Sequence, residues 1–210
     1  MVAGQAVLAA QSLHSGWRLS SLPWWHWLVP AALELALVAV LTAGVTTRHL
    51  ERAGRRRQVA IALVGVITVA NGVSLAALVT SLVNGHESDG AELLLKGFTI
   101  WATNVVAFGL WFWELDGGGP FARGAAHVEG QAPEGRDFQF PQQENPQLAA
   151  PGWHPRLVDY VYIAFTNTIA FSPTDAMPLS GRAKLLMLVE SASSALTVLL
   201  VAARAVNILR

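Results

Sequence analysis

Apolar positions along this chain come in long uninterrupted runs, not at the spacing of a half-buried amphipathic helix. Leu28 to Thr47 is such a run, and its twenty residues would extend about 30 Å as a helix, the thickness of a bilayer's hydrocarbon core. Val59 to Val83, about Lys96 to Leu115, and Ala183 to Val206 are runs of the same kind. Leu157 to Ser172 is shorter, and either crosses or turns back as a re-entrant half-helix. The pattern predicts an all-α, polytopic transmembrane helix bundle of about five spans. Four stretches follow: an interfacial segment 1–27, three helices in 28–115, a polar Gly/Pro-rich loop 116–156, and a closing helical hairpin 157–210.

The residues between the runs set the expected topology. Trp17, Trp24, Trp25 and Trp27 crowd the approach to the first span, as indoles do at a headgroup boundary. No basic residue precedes the short apolar patch Ala6 to Ala10, so a signal peptide is not expected. Arg48, Arg52, Arg55, Arg56 and Arg57 form a basic loop that the positive-inside rule puts in the cytoplasm. The loop around His86, Glu87, Asp89 and Glu92 is acidic and faces out. A cell-membrane protein with its amino terminus outside and its carboxy terminus in the cytoplasm results. In the second span Gly65, Asn71, Gly72 and Ser74 are the small and weakly polar residues that let helices approach. The loop 116–156 either lacks fixed structure or has a task, and its Phe138-Gln139-Phe140-Pro141 is expected to dock on the bundle.

Composition narrows the chemistry. Hydrophobic residues make up 53% against 13% charged, and the formal net charge is zero, so nucleic acid is not an expected partner. The bilayer is one, with a protein partner or a second copy of the chain beside it. Cysteine is absent, which removes disulfides and thiolate chemistry. No phosphate loop, zinc motif or nucleophile elbow occurs, and the six histidines are scattered, so neither an enzyme, a cofactor nor a metal is called for. Asp175 is the acid to test first if catalysis existed.

Ionisable groups inside the spans are the strongest functional signal. At about 1.5 Å per residue, Glu34 lies roughly 12 Å below His26 and Glu190 roughly 13 Å below Gly181. Asn104 and Asn167 come out at similar depths, which suggests one buried polar layer with Thr166 and Thr168 beside it. A charge at mid-membrane costs about 2.5 to 3.5 kcal/mol, so both glutamates need polar neighbours, neutralisation or water. Such a layer either joins helices by hydrogen bonds or passes protons and cations. Glu190, Ser194, Thr197 and Arg204 share one helical face, and Asp159, Tyr162 and Thr166 share another. If those two helices are antiparallel neighbours, Asp159 and Arg204 form a structural pair. Ser180 is the expected N-cap of the last helix.

Thr168-Ile169-Ala170-Phe171-Ser172, then Pro178-Leu-Ser-Gly-Arg182, Glu190 and Arg204, resembles the pore helix, filter and inner helix of two-span bacterial potassium channels. Ala170 and Ser172 stand where that family has its two filter glycines, so the resemblance implies a degenerate filter. The channel orientation would put ten Lys and Arg outside and four inside. Both the five-span model and a re-entrant loop entered from the cytoplasm reverse those numbers. The chain is also similar to a family of uncharacterised bacterial integral membrane proteins, through Asp159-Tyr-Val-Tyr, Ala164-Phe-Thr, Phe171-Ser-Pro-Thr-Asp175, Ala205-Val-Asn207 and the Phe138 to Pro141 loop. That similarity implies a fold and no chemistry. Two functions follow: permeation of a proton, cation or small solute along Glu34, Asn104, Asn167 and Glu190, or a non-conducting scaffold or accessory subunit that binds a partner.

Overall fold

The computed structural model describes residues 2–14, 23–42, 56–85, 89–128, 135–170 and 175–208. Most of them are helical, and three helices, Arg56–Val83, Gly90–Gly118 and Gly181–Arg204, are long and apolar enough to cross a membrane. The chain divides into two compact units, Met1–Asn104 with Ser193–Arg210, and Val105–Ala192. This cuts across the four stretches expected from composition, because two long helices each contribute to both units.

The first unit holds α1 (Val2–His14), a 3-10 turn Trp24–Trp27, α2 (Leu28–Thr42), α3 (Arg56–Val83), the first part of α4 (Gly90–Leu115) and the last part of α8 (Gly181–Ile208). Its core joins Leu8 and Ala9 of α1 to Trp27, Leu75, Leu78, Leu93, Ile100 and Val201. The segment expected at the interface is therefore in part a packed helix, and Trp27 is buried while Trp24 and Trp25 stay exposed. Asp89 caps α4, its carboxylate accepting the Ala91 amide at 2.8 Å. Lys96 is buried and paired with Glu92 one turn earlier at 2.5 Å. Arg56 opens α3 as a buried residue; Trp17, Arg48, Arg52, Arg55, His86 and Glu87 lie outside the described residues.

The second unit runs from the end of α4 through α5 (Pro120–Val128), β1 (Phe138–Gln139), α6 (Pro141–Glu144), α7 (Leu157–Ala170) and β2 (Met177–Pro178) into the start of α8. The described residues of the polar stretch 116–156 thus include helices and a short strand. Gly117, Gly118 and Gly119 all have positive φ, 52°, 81° and 97°, and this is how the chain reverses after α4 in three residues. β1 and β2 pair antiparallel, Phe138 opposite Pro178 and Gln139 opposite Met177.

α7 and α8 leave the same end of this unit. The fourteen residues of α7 extend about 21 Å. Asp175 and Ala176 nevertheless line a crevice with Asp159, Tyr162 and Ile163, near the start of α7, and β2 lies against β1. The chain that departs along α7 is back at its origin before α8 begins.

Beside a buried apolar core, the helices expose many large apolar side chains and bury several polar ones. Val66, Val69 and Val73 of α3 and Leu185, Leu188, Leu196 and Leu199 of α8 face outward, while Asn71, Ser74, Thr103, Asn104, Glu190, Ser194 and Thr197 are buried. Exposed apolar faces and buried polar groups are compatible with a hydrocarbon surrounding. Close helix approach falls at Gly97 and Gly109 of α4, where an added Cβ would stand 2.6 Å from Val201 and 3.0 Å from the Val161 Cα. Gly72, expected to serve this purpose, faces open space.

Candidate functional site

The end of α4 leaves carbonyls without helical partners, and arginines supply the missing donors. Nη1 of Arg123 donates to the carbonyl oxygens of Trp113, at 2.9 Å, and of Asp116. Nη2 of Arg182 donates to that of Leu115 at 3.2 Å. The Asp116 side chain, 2% exposed, accepts three bonds. Its Oδ1 takes the amides of Asp137 (2.6 Å) and Phe138 (3.2 Å), and its Oδ2 takes the Tyr160 hydroxyl at 2.5 Å.

Asp137 carries the connection onward. Its carboxylate accepts Nε and Nη2 of Arg182 at 2.7 and 2.6 Å together with the Ser180 hydroxyl, and its carbonyl accepts the Leu179 amide at 2.7 Å. A two-pronged arginine-carboxylate pair is among the stronger and more directional side-chain contacts. Ser180 also caps α8, its Oγ accepting the Ala183 amide at 3.1 Å, as its position suggested. Two carboxylates therefore fasten the end of α4, β1, the start of α7 and the start of α8 into one platform. The Phe138 to Pro141 segment docks as expected, with Phe138 edge-on to Phe112 and Phe140 edge-on to Tyr160 and Trp153. Burial, and then the neighbouring Asp116 carboxylate, push the Tyr160 hydroxyl above its ordinary range, so it serves as a donor.

From this platform α7 carries Asn167 to Glu190. Asn167 Nδ2 donates to Glu190 Oε2 at 2.7 Å and to the Met187 carbonyl at 3.0 Å, and Ser191 Oγ donates to the Asn167 carbonyl at 3.2 Å. Glu190 is wholly buried. Asn167 and Glu190, both members of the expected polar layer, are thus in direct contact. The other two members bond within the first unit. Glu34 accepts Gln5 Nε2 at 2.8 Å, and the same nitrogen reaches Thr103 Oγ1 at 3.3 Å. Asn104 Nδ2 donates to Ser193 and Ser194, each at 2.9 Å.

The inner face of α7 is one residue away from the face read in the sequence. Tyr160, Ile163, Ala164, Asn167 and Thr168 are buried, while Tyr162 is 48% exposed. Thr166 turns its hydroxyl back onto the carbonyls of Tyr162 and Ile163 at 2.9 and 3.1 Å, and does not join Asn167. Thr168 does the same with Phe165 at 2.8 Å. Thr168, Ile169 and Ala170 are the last three residues of α7; Phe171 and Ser172 lie outside the described residues. The antiparallel arrangement behind the Asp159–Arg204 pair is not the observed one, since α7 and α8 leave the platform together. Asp159 accepts the Arg156 amide at 2.7 Å, and Arg204 belongs to the other unit.

The residues missed by sequence reasoning are Asp116, Asp137 and Gln5. The two acids stand in Leu115-Asp116-Gly117 and Arg136-Asp137-Phe138, a signal that reads locally as turn and loop. No protein-family model matches the chain, and neither a curated protein nor a solved structure matches it.

Proposed function

We propose that this chain is an integral membrane protein with four spans, α2, α3, α4 and α8, and one re-entrant helix, α7, and that a proton, cation or small polar solute crosses it past Asn167 and Glu190. The observation that carries this reading is the return of the chain to the platform after α7, with Asn167 at 2.7 Å from a wholly buried carboxyl group on α8. Backbone that stops short inside a bilayer is tolerated where it is buried in protein or lines a polar cavity. A short helix that turns back ahead of a full-length one is also what the resemblance to potassium channels implies. The similarity to uncharacterised bacterial membrane proteins remains part of the same proposal.

Four spans change the topology. The basic loop, Arg123, Arg136, Arg156, Arg182 and Lys184 then share one side, against Arg18, Lys96, Arg204 and Arg210 on the other. The positive-inside rule makes the first group cytoplasmic. Both ends of the chain then face outward, in place of the cytoplasmic carboxy terminus that five spans required, and α7 enters from the cytoplasm.

Purified protein in liposomes decides the function. Proton or cation leakage above that of empty vesicles, reduced at least about tenfold in Glu190→Gln, is the expected result; a barrier lowered by even ~1.4 kcal/mol at this residue would be visible. Wild-type vesicles as tight as empty ones to protons, to cations and to a small polar solute such as glycerol would reject permeation. They would select the second reading, a non-conducting scaffold or accessory subunit, which draws on the finding that Asn104 and Asn167 already have helix-to-helix partners.

A further inference from the structure

The second unit contains a cavity of about 370 Å³ on the loop side of the platform, distinct from the Asn167–Glu190 contact. Arg123, Arg136, Arg156, His127 and His154 line it, with Asp116 the one carboxylate among the described residues of its walls. Among the described lining residues three guanidiniums stand against one carboxylate, a cationic balance even with both imidazoles neutral. Both oxygens of Asp116 already accept hydrogen bonds from Tyr160 and from backbone amides. The two imidazole rings lie with centroids 4.8 Å apart, one from α5 and one from the turn after Gly152.

The arginines retain donor capacity. Arg123 is 7% exposed, is fixed over the Tyr160 ring at 5.0 Å and is anchored through Nη1, yet its Nη2 has no hydrogen-bond partner among the described residues. Nε of Arg136 is likewise buried without one. A buried guanidinium nitrogen without an acceptor is costly, and an anion close to the cluster would offset part of that cost. Trp113, Trp153 and Leu157 complete the wall with apolar surface. The volume exceeds that of a bare oxyanion and falls within the range of roughly 300 to 1,000 Å³ typical of small-molecule sites.

We infer that this cavity binds a phosphate group carried on a partly apolar body, with Arg123, Arg136 and Arg156 holding the phosphate oxygens and the indoles covering the rest. Planar guanidiniums suit phosphate better than ammonium groups do, and clustered arginines are how proteins usually recognise it. An anionic phospholipid headgroup and a soluble phosphate ester share that chemistry. This inference is independent of whether anything crosses the membrane.

The test is titration of the full chain in neutral detergent with three probes: short-chain phosphatidylglycerol, short-chain phosphatidylcholine and inorganic phosphate. Saturable binding of phosphatidylglycerol over phosphatidylcholine, weakened at least about tenfold in both Arg156→Gln and Arg136→Gln, identifies a headgroup site. Inorganic phosphate binding as tightly as the lipid, with the same dependence on the two arginines, identifies a soluble phosphate ligand. Arg156 is exposed, and its backbone amide, which bonds Asp159, is kept in the variant, so folding should survive. No saturable binding of any probe, or binding equal in wild type and both variants, would overturn the proposal.

Discussion

Asp116→Ala is expected to destabilise the protein by on the order of 3 to 5 kcal/mol. Three donors, the amides of Asp137 and Phe138 and the Tyr160 hydroxyl, lose their acceptor where the carboxylate was 2% exposed. Each buried donor left unmet costs about 1 to 3 kcal/mol, and water entering the gap recovers part of it. In a chain of this size the loss corresponds to a fall in Tm on the order of 10 °C. Tyr160→Phe removes one donor along with its own need for a partner, and should cost about 1 kcal/mol. Thermal unfolding in detergent measures both, and the double variant gives their coupling. An Asp116→Ala protein within about 1 kcal/mol of wild type would mean that the platform does not depend on this carboxylate.

The second large effect is expected at Gly109. A methyl added there would stand 3.0 Å from both the Cα and a side-chain methyl of Val161, and the Cα is backbone that cannot swing aside. Gly109→Ala should cost about 1 to 3 kcal/mol by overpacking, and Gly109→Val more, because α7 must move away from α4. Gly72→Ala is the matched control. Nothing lies within 4 Å of its added Cβ, and alanine's better helix propensity should stabilise it by up to about 1 kcal/mol. Equal effects at the two positions would remove the argument that α4 and α7 meet at Gly109.

The long helices were legible because continuous apolar runs leave few alternatives. Val59 to Val83 became Arg56–Val83, and Ala183 to Val206 became Gly181–Ile208. The docking of Phe138 and Phe140 was legible for a related reason, since two phenylalanines in a polar stretch need cover. The platform was not legible. Asp116 meets Tyr160 forty-four residues later, and Asp137 meets Arg182 forty-five residues later; spacing along the chain carries no trace of such pairs. α5 was missed because Pro120, Gly124 and the glycines before it look like loop, although proline at the first helical position is tolerated. The face of α7 was misjudged for a geometric reason. Asp159, Tyr162 and Thr166 keep the same helical spacing as Tyr160, Ile163 and Asn167, and one residue is a turn of about 100°. Gln5 was passed over because its apolar neighbours form too short a run to suggest a packed helix.

The return of the chain after α7 is the step on which the topology and the permeation proposal both depend. The natural sequence has no cysteine, so single cysteines can be placed at Glu144 and at Leu179, both exposed, and labelled with a membrane-impermeant maleimide from either side. Labelling of both positions from the same, cytoplasmic side is expected. Labelling of the two from opposite sides would show that α7 crosses the bilayer, and would contradict the re-entrant arrangement outright.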